Sequence, residues 1–588
     1  MTDPASLFAQ AERAFQAGQL DVARGAIGRV QQVAGDHPAV LHLLALVEKK
    51  SGARDAARAA FERAVRLAPN DPQLLVNYAN LLAEGDAGED ALVVYGQALR
   101  ADSRFVEARF NRALLLQKLG RNEEALADLD QVMAQRPADA RTLSARGSVL
   151  RDLERLAEAA SSYDAALRID PARPLALHGR ARVAMERGEE DASLFYRRAL
   201  SAVPNAPELQ LGLAEALEAE GKPGGVEALA AAVARQPDWI EGQAALARMR
   251  WEAGEGEAFT RAMEQRLAEA PGHRALWTAY ATALGAADLH ARAADAAAAG
   301  RKAAGDDGAL MLAEAHHASE AGDIDRAGGL FARLPNNLPN RLTLAARHWL
   351  RHGDYAQASR LVDLARDEAP HDVAAWALTS ILWRIAADPR SVWLSEQPGL
   401  ICSTSLGLDP GQIETVAALL RGLHRTRAHP IGQSLRGGTQ TRGALFAREE
   451  PEIRLLRSFV ARAVTAYWGG LPREDPAHPL LRHRSQRPRI VGSWSVRLTG
   501  GGFHIAHFHS RGLVSSACYF VVPQPSAPLE GWLEVGGPPH GVDLPLAPLA
   551  RIEPAPGRLA LFPSYLYHGT RPFAAGERLT AAFDVSAR

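Results

Sequence analysis

The stretch GGGFHIAHFHSRGLVSSACYFVV, Gly500 to Val522, decides the reading of this chain, together with GRLALFPSYLYHGTRPF (557–573) and ERLTAAFDV (577–585). It holds His504, His507 and His509 within six residues; His568 follows some sixty residues on, and Arg578 ten residues after that. On a strand, side chains at i and i+2 share a face, so His507 and His509 are expected to point together into a barrel and His504 to point the other way. His568 ends a second apolar run and can converge from another strand. Neutral imidazole suits Fe, Zn, Cu and Ni, and a few histidines with open positions describe a catalytic metal site. A lone histidine would read as an ordinary core or surface group; three so close, with a fourth at a strand end and an arginine after it, read as metal ligands and a carboxylate clamp.

Around this stretch the runs SWSVRL, SSACYFVV, GWLEV, GRLALF and RLTAAFDV are short, β-branched or aromatic in part, and separated by Gly- and Pro-rich turns. Many short strands of this kind are expected to close as an antiparallel jelly-roll or barrel. His504, Trp494, Tyr519, Trp532 and Arg497 are candidates to line its pocket, and Glu534 and Asp543 are acidic candidates for a further ligand. Upstream, residues 386–490 read as a helical and looped transition that forms part of the catalytic domain. GQIETVAALLRGL and EIRLLRSFVARAVTAYW have helical apolar spacing. They flank the polar loop HPIGQSLRGGTQTRGALF, read as a wall or lid of the neighbouring site because no Gly-Lys-Ser or Gly-Lys-Thr makes it a phosphate loop.

Residues 1–385 are of another kind: rich in Ala, Leu, Arg and Glu, with apolar positions at helical spacing. Gly18 and Gly52 stand 34 residues apart, and Gly120 and Gly188 continue the register. Ala23, Ala57, Ala125 and Ala159 follow five residues after the turn position, and the unit tends to end in Pro, as at Pro69, Pro137, Pro171, Pro204, Pro237, Pro271 and Pro370. This period resembles the tetratricopeptide repeat, a helix-turn-helix unit that buries its apolar face only by stacking on its neighbours. About ten or eleven units are expected. Asn77 and Asn111 occupy the same place in successive units, and a carboxamide can both donate to and accept from a peptide backbone, so they are candidate peptide-binding residues.

The fold class expected is therefore α + β and multidomain: a tetratricopeptide superhelix over 1–385, the transition over 386–490, and a double-stranded β-helix (jelly-roll) over 491–588. A chain of 588 residues is too long for a single core. Its net charge of −1 gives no electrostatic case for nucleic acid or an anionic membrane as partner. Two cysteines, Cys402 and Cys518, exclude a disulfide framework, and with no basic-then-apolar leader a soluble cytoplasmic protein is expected.

The runs SWSVRLTGGGFHIAHFHSRGLVSSACYFVVP, PGRLALFPSYLYHGTRPF and ERLTAAFDV resemble the iron(II)- and 2-oxoglutarate-dependent oxygenases, in particular bacterial ones with tetratricopeptide repeats ahead of the oxygenase domain. The resemblance implies Fe(II), 2-oxoglutarate and O2. It implies a distal ligand at His568, and Arg578 helped by Thr580 on the far carboxylate of 2-oxoglutarate. The function it implies is hydroxylation of a protein or peptide recruited by the repeats. The proximal His-X-Asp or His-X-Glu of that superfamily is missing. His507 and His509 with His568 would make a three-histidine site. An alignment on His504-Ile505-Ala506 would resemble iron halogenases, and a cupin-like metal protein or an inactive scaffold remain as further readings. The substrate and the oligomeric state have no signature in the sequence.

Overall fold

The computed structural model describes residues 3–137, 139–426 and 429–587. Among them, helices α1 (Pro4–Gln16) to α22 (Tyr355–Glu368) form eleven successive pairs, and α23 (Val373–Ile385) closes the series. The local chemistry follows the repeat. In α5 (Pro72–Ala83), Pro72 opens the helix while the Asp71 carboxylate accepts from the backbone of Gln73 and Leu74. Asp139 caps α9 (Ala140–Asp152) in the same way. Ala23, Ala57, Ala125 and Ala159 are fully buried.

The chain divides into two compact units, Met1–Val183 and Ala184–Arg588. The first is helical throughout its described residues. The second contains the remaining repeats and the whole of the sheet. Its strands are β1 (Cys402–Ser405), β2 (Leu435–Gln440), β3 (Pro488–His507), β4 (Val514–Val521), β5 (Leu533–Val535), β6 (Ala550–Ile552), β7 (Arg558–Pro563), β8 (His568–Thr570) and β9 (Glu577–Ala587). They run in the order β1-β7-β4-β9-β3-β8-β5-β6, with β2 also on β3, and pair antiparallel throughout. This is a nearly closed jelly-roll sheet. Segment 386–490 contributes α24 (Pro410–Leu423) and α25 (Pro451–Gly470), and also strands β1 and β2. The run SWSVRL is only the middle of β3, which begins at Pro488, continues through Gly500–Gly502 to His507, and pairs with β9, β2 and β8.

Within the second unit the last repeats and the roll share one apolar core. Leu342, Trp376 and Leu382 belong to the same buried cluster as Leu561, Phe583 and Val585. Polar clasps add direction: Arg384 donates to the carbonyls of Gly536 and Ala547, and Arg347 to that of His540 at 3.0 Å. Trp251 Nε1 donates to the His429 carbonyl at 3.1 Å, and Arg442 enters between Glu218 and Glu252. The repeats of this unit are thus fused to the roll.

Candidate metal centre

Strand β3 lies beside β8 with His504 opposite Thr570 and His507 opposite His568, so β3 carries one residue more than its partner between those pairs. The extra residue is a β-bulge, and a bulge re-aims side chains. Alternation alone sends His504 away from His507; the structure brings it back. The two rings stack with centroids 5.8 Å apart at 23°, and Ser434 Oγ bridges them at 3.0 Å from His504 Nδ1 and 3.2 Å from His507 Nε2. His509 stands just past the end of β3, its backbone N–H held by the Ser564 carbonyl at 3.1 Å.

His507, His509 and His568 present one ring nitrogen each, all within 4.8 Å of one another. The other nitrogen of each ring is committed. His507 Nδ1 donates to the Ile505 carbonyl at 2.8 Å, His568 Nδ1 to the Leu566 carbonyl at 3.0 Å, and His509 Nδ1 to Asp584 Oδ1 at 2.6 Å. Carbonyl and carboxylate oxygens only accept, so each proton sits on Nδ1 and each Nε2 is left with a lone pair. His507 Nε2 and His509 Nε2 then face each other at 3.1 Å with no proton between them. That arrangement is repulsive in the bare protein and favourable around a cation. Burial and the neighbouring rings push His507 down to about 3 and His568 well below its usual value. Neutral imidazole is the ligating form, so the donor set fits a divalent 3d metal.

The same cavity, of about 660 Å³, is lined by Arg578 and Thr580. Arg578 is 2 % exposed, and its Nε has no hydrogen-bond partner among the described residues. No carboxylate pairs with it there. Its guanidinium carbon lies 5.0 Å from the centre of the Tyr519 ring, and burial works against its charge. A buried cation without a counter-charge is costly, and an anionic group entering the cavity relieves that cost. The site therefore joins a triad of ring nitrogens that could hold a metal ion to a buried guanidinium with no carboxylate partner among the described residues.

Trp494 and His504 line the cavity as expected from sequence, with Trp494 5.6 Å from the His509 ring. Tyr519 and Arg497 stand elsewhere: Tyr519 is fully buried behind Arg578, and Arg497 is drawn to Glu577 at 2.6 Å. Neither acidic candidate reaches the triad. Glu534 pairs with Arg551 at 3.1 Å and Arg571 at 3.4 Å, and Asp543 is exposed. Asn77 and Asn111 lie in the first unit, where their amides bridge neighbouring repeats, Asn77 to His42 at 2.8 Å and Asn111 to Asn80 at 3.1 Å. The loop read as a wall does line the cavity, through Gln433, Ser434, Arg436 and Gln440.

Two residues in contact with the histidines escaped the sequence reading. Asp584 orients His509 and is itself held by Ser515 Oγ at 3.0 Å. Its signal was parity, since Arg578, Thr580, Ala582 and Asp584 alternate along β9 and all line the cavity. Ser434 carried no such signal.

Residues 492–584 match the family described as "Putative 2OG-Fe(II) oxygenase". Residues 38–81 match the family described as "Tetratricopeptide repeat", and residues 89–179 that described as "Psidin, N-terminal TPR repeats region". No curated protein matches the chain. Similar solved structures include a tetratricopeptide repeat protein from Parabacteroides merdae, at 19 % identity over 47 % of this chain and 97 % of that one, with a TM-score of 0.33. Another is YrrB, a TPR protein with an unusual peptide-binding site, at 20 % identity over 31 % of this chain and 95 % of its own, with a TM-score of 0.28. A third is PilW, a type IV pilus biogenesis factor, at 16 % identity, 36 % and 98 % coverage, and a TM-score of 0.33.

Proposed function

We propose that this chain, which joins tetratricopeptide repeats to a 2OG-Fe(II) oxygenase domain, is an Fe(II)- and 2-oxoglutarate-dependent dioxygenase that hydroxylates a protein or peptide recruited by its repeats. The observation that carries this reading is the pairing, in one cavity, of three convergent Nε2 lone pairs with the buried guanidinium of Arg578, whose Nε has no hydrogen-bond partner among the described residues. His507, His509 and His568 would hold the iron. Iron and 2-oxoglutarate supply the oxidising chemistry, in which O2 is consumed, the cosubstrate becomes succinate and CO2, and one oxygen atom goes to the substrate. The residues of the chain do the rest. Arg578 would bind the far carboxylate of the cosubstrate, with the Thr580 hydroxyl beside it. Asp584 keeps the His509 proton on Nδ1, and the apolar walls around Phe562 and Leu533 exclude water. Substrate recruitment is assigned to the repeats because extended solenoids expose long binding faces.

Anaerobic loading with Fe(II) and 2-oxoglutarate, then admission of air with candidate polypeptides, is expected to give succinate and a product heavier by one oxygen atom. His568→Ala should abolish stoichiometric iron. Arg578→Leu should raise the 2-oxoglutarate concentration needed for half-maximal turnover about ten- to hundredfold, the worth of a charge-assisted contact. A protein that binds iron yet makes no succinate would sink the reading.

One observation favours a second reading, a cupin-like metalloenzyme that does not use 2-oxoglutarate. The triad contains no carboxylate. Activity that ignores both 2-oxoglutarate and Arg578→Leu would select it.

A further inference from the structure

The turn between α17 (Arg274–Ala286) and α18 (His290–Ala304) belongs to the repeats, yet Gly285, Ala286 and Asp288 line the metal cavity. In eight of the eleven pairs this turn is made by glycine in the left-handed region: Gly18, Gly52, Gly120, Gly188, Gly221, Gly254, Gly322 and Gly353. The turn between α5 and α6 has no left-handed residue, and two turns place a residue with a side chain there, Glu154 and Asp288, the latter with φ 61°. A side chain there carries backbone strain that glycine would not, and strain kept at one turn of a repeat points to a use for the side chain.

That use is visible. Asp288 Oδ2 accepts from both Nε and Nη2 of Arg436, at 3.0 and 2.5 Å. The pair is 53 % exposed on the Asp288 side, so it adds little to stability. Its position matters more. One turn earlier, the Gly432 N–H donates to the Ala286 carbonyl at 2.9 Å, so segment 432–436 is pinned to the repeat at both ends. Between the pins lies Ser434, whose hydroxyl reaches His504 Nδ1 at 3.0 Å and whose carbonyl accepts from the Ile505 N–H at 2.9 Å. The carbonyl of Ile505 in turn holds the His507 Nδ1 proton at 2.8 Å.

We infer that Asp288 is a positioning residue for the metal centre, acting through Arg436 and Ser434, and that the repeats therefore form a working wall of the catalytic cavity. The inference rests on the metal-binding half of the function proposed above and is independent of the oxygenase half.

Asp288→Gly is the discriminating variant in the full-length chain, because it restores the glycine used by the sister turns while removing the carboxylate. Cobalt(II) serves as the probe, its affinity read by chelator competition and its ligand field by visible absorption. Asp288→Gly is expected to keep or raise the thermal unfolding midpoint, to shift the cobalt bands, and to weaken cobalt binding about three- to tenfold, below the loss typical of groups one bond nearer the metal. Arg436→Leu should reproduce the shift, and the two changes together should add nothing further. A wild-type cobalt spectrum and affinity in Asp288→Gly would overturn the inference. Wild-type protein that takes up no cobalt would overturn it together with the metal site. Cobalt binding sensitive to Asp288→Gly, in a protein that makes no succinate, would uphold the inference while the oxygenase reading fell.

Discussion

At the scale of single residues, the centre depends on where three protons sit. His507 and His568 give their Nδ1 protons to carbonyls two residues back along their own chain, a geometry that the local backbone supplies. His509 has no such carbonyl; its proton goes to Asp584, on another strand, at 2.6 Å. Of the three orienting contacts, this is the one a side-chain substitution can remove. Asp584→Ala should lower metal affinity about ten- to hundredfold while His507 and His568 still bind, as removal of an outer carboxylate does in histidine metal sites. Chelator competition measures it, and an unchanged affinity would mean that His509 is not a ligand. The histidines and Arg578 stood out by residue type and spacing, and Thr580 through the family resemblance; the structure brings all of them to one cavity. Asp584 was half-legible, its parity with Arg578 on β9 being plain once the strand is drawn. Ser434 was not legible, because its link to His504 spans 70 residues and passes through a bulge whose place no local pattern marks.

At the scale of elements, the repeats were readable because each boundary is written locally: a proline or aspartate to open, a glycine to turn, a buried alanine where helices touch. The sheet was readable where strands are apolar and isolated by turns, as with β4, β7 and β9. Strands β1, β2, β6 and β8 were missed. β2 reads LRGGTQ, too rich in glycine to look like a strand, and exists because β3 offers it an edge. Its glycines are needed for that approach. A Cβ on Gly438 would sit 2.2 Å from the Arg497 carbonyl oxygen, a backbone atom that cannot swing aside. Gly438→Ala is therefore expected to destabilise the second unit by about 1–3 kcal/mol. It should also weaken metal binding, since β2 carries Ser434 into place. Urea unfolding followed with chelator competition checks both, and loss of stability with intact metal affinity would separate β2 from the centre.

For the whole molecule, composition changes near residue 385, whereas compactness divides the chain between Val183 and Ala184. The two differ because composition records helix against strand, while compactness records packing, and the later repeats pack on the roll. The units should then differ in their response to acid. In the second, burial holds His316, His348, His424 and His478 down to about 4 and His317 to about 3. His478 shows what is at stake: its Nδ1 accepts from the backbone of Leu480 and Leu481, each at 3.1 Å, and protonation forfeits both bonds. Since these folded-state values lie below the unfolded value of about 6.5, the unfolded chain binds more protons in that window. The stability they contribute is complete above about pH 6.5 and is lost as pH falls toward 4, by at most about 1.4 kcal/mol per pH unit for a fully buried group such as His478 or His348. In the first unit His42 is lowered in this way. All ten tryptophans lie in the second unit, so their fluorescence reports on it alone. Its urea midpoint should fall steeply between pH 6.5 and 4.5 while helical circular dichroism from the first unit persists; a midpoint flat across that range would show that the buried histidines titrate as they do in the unfolded chain.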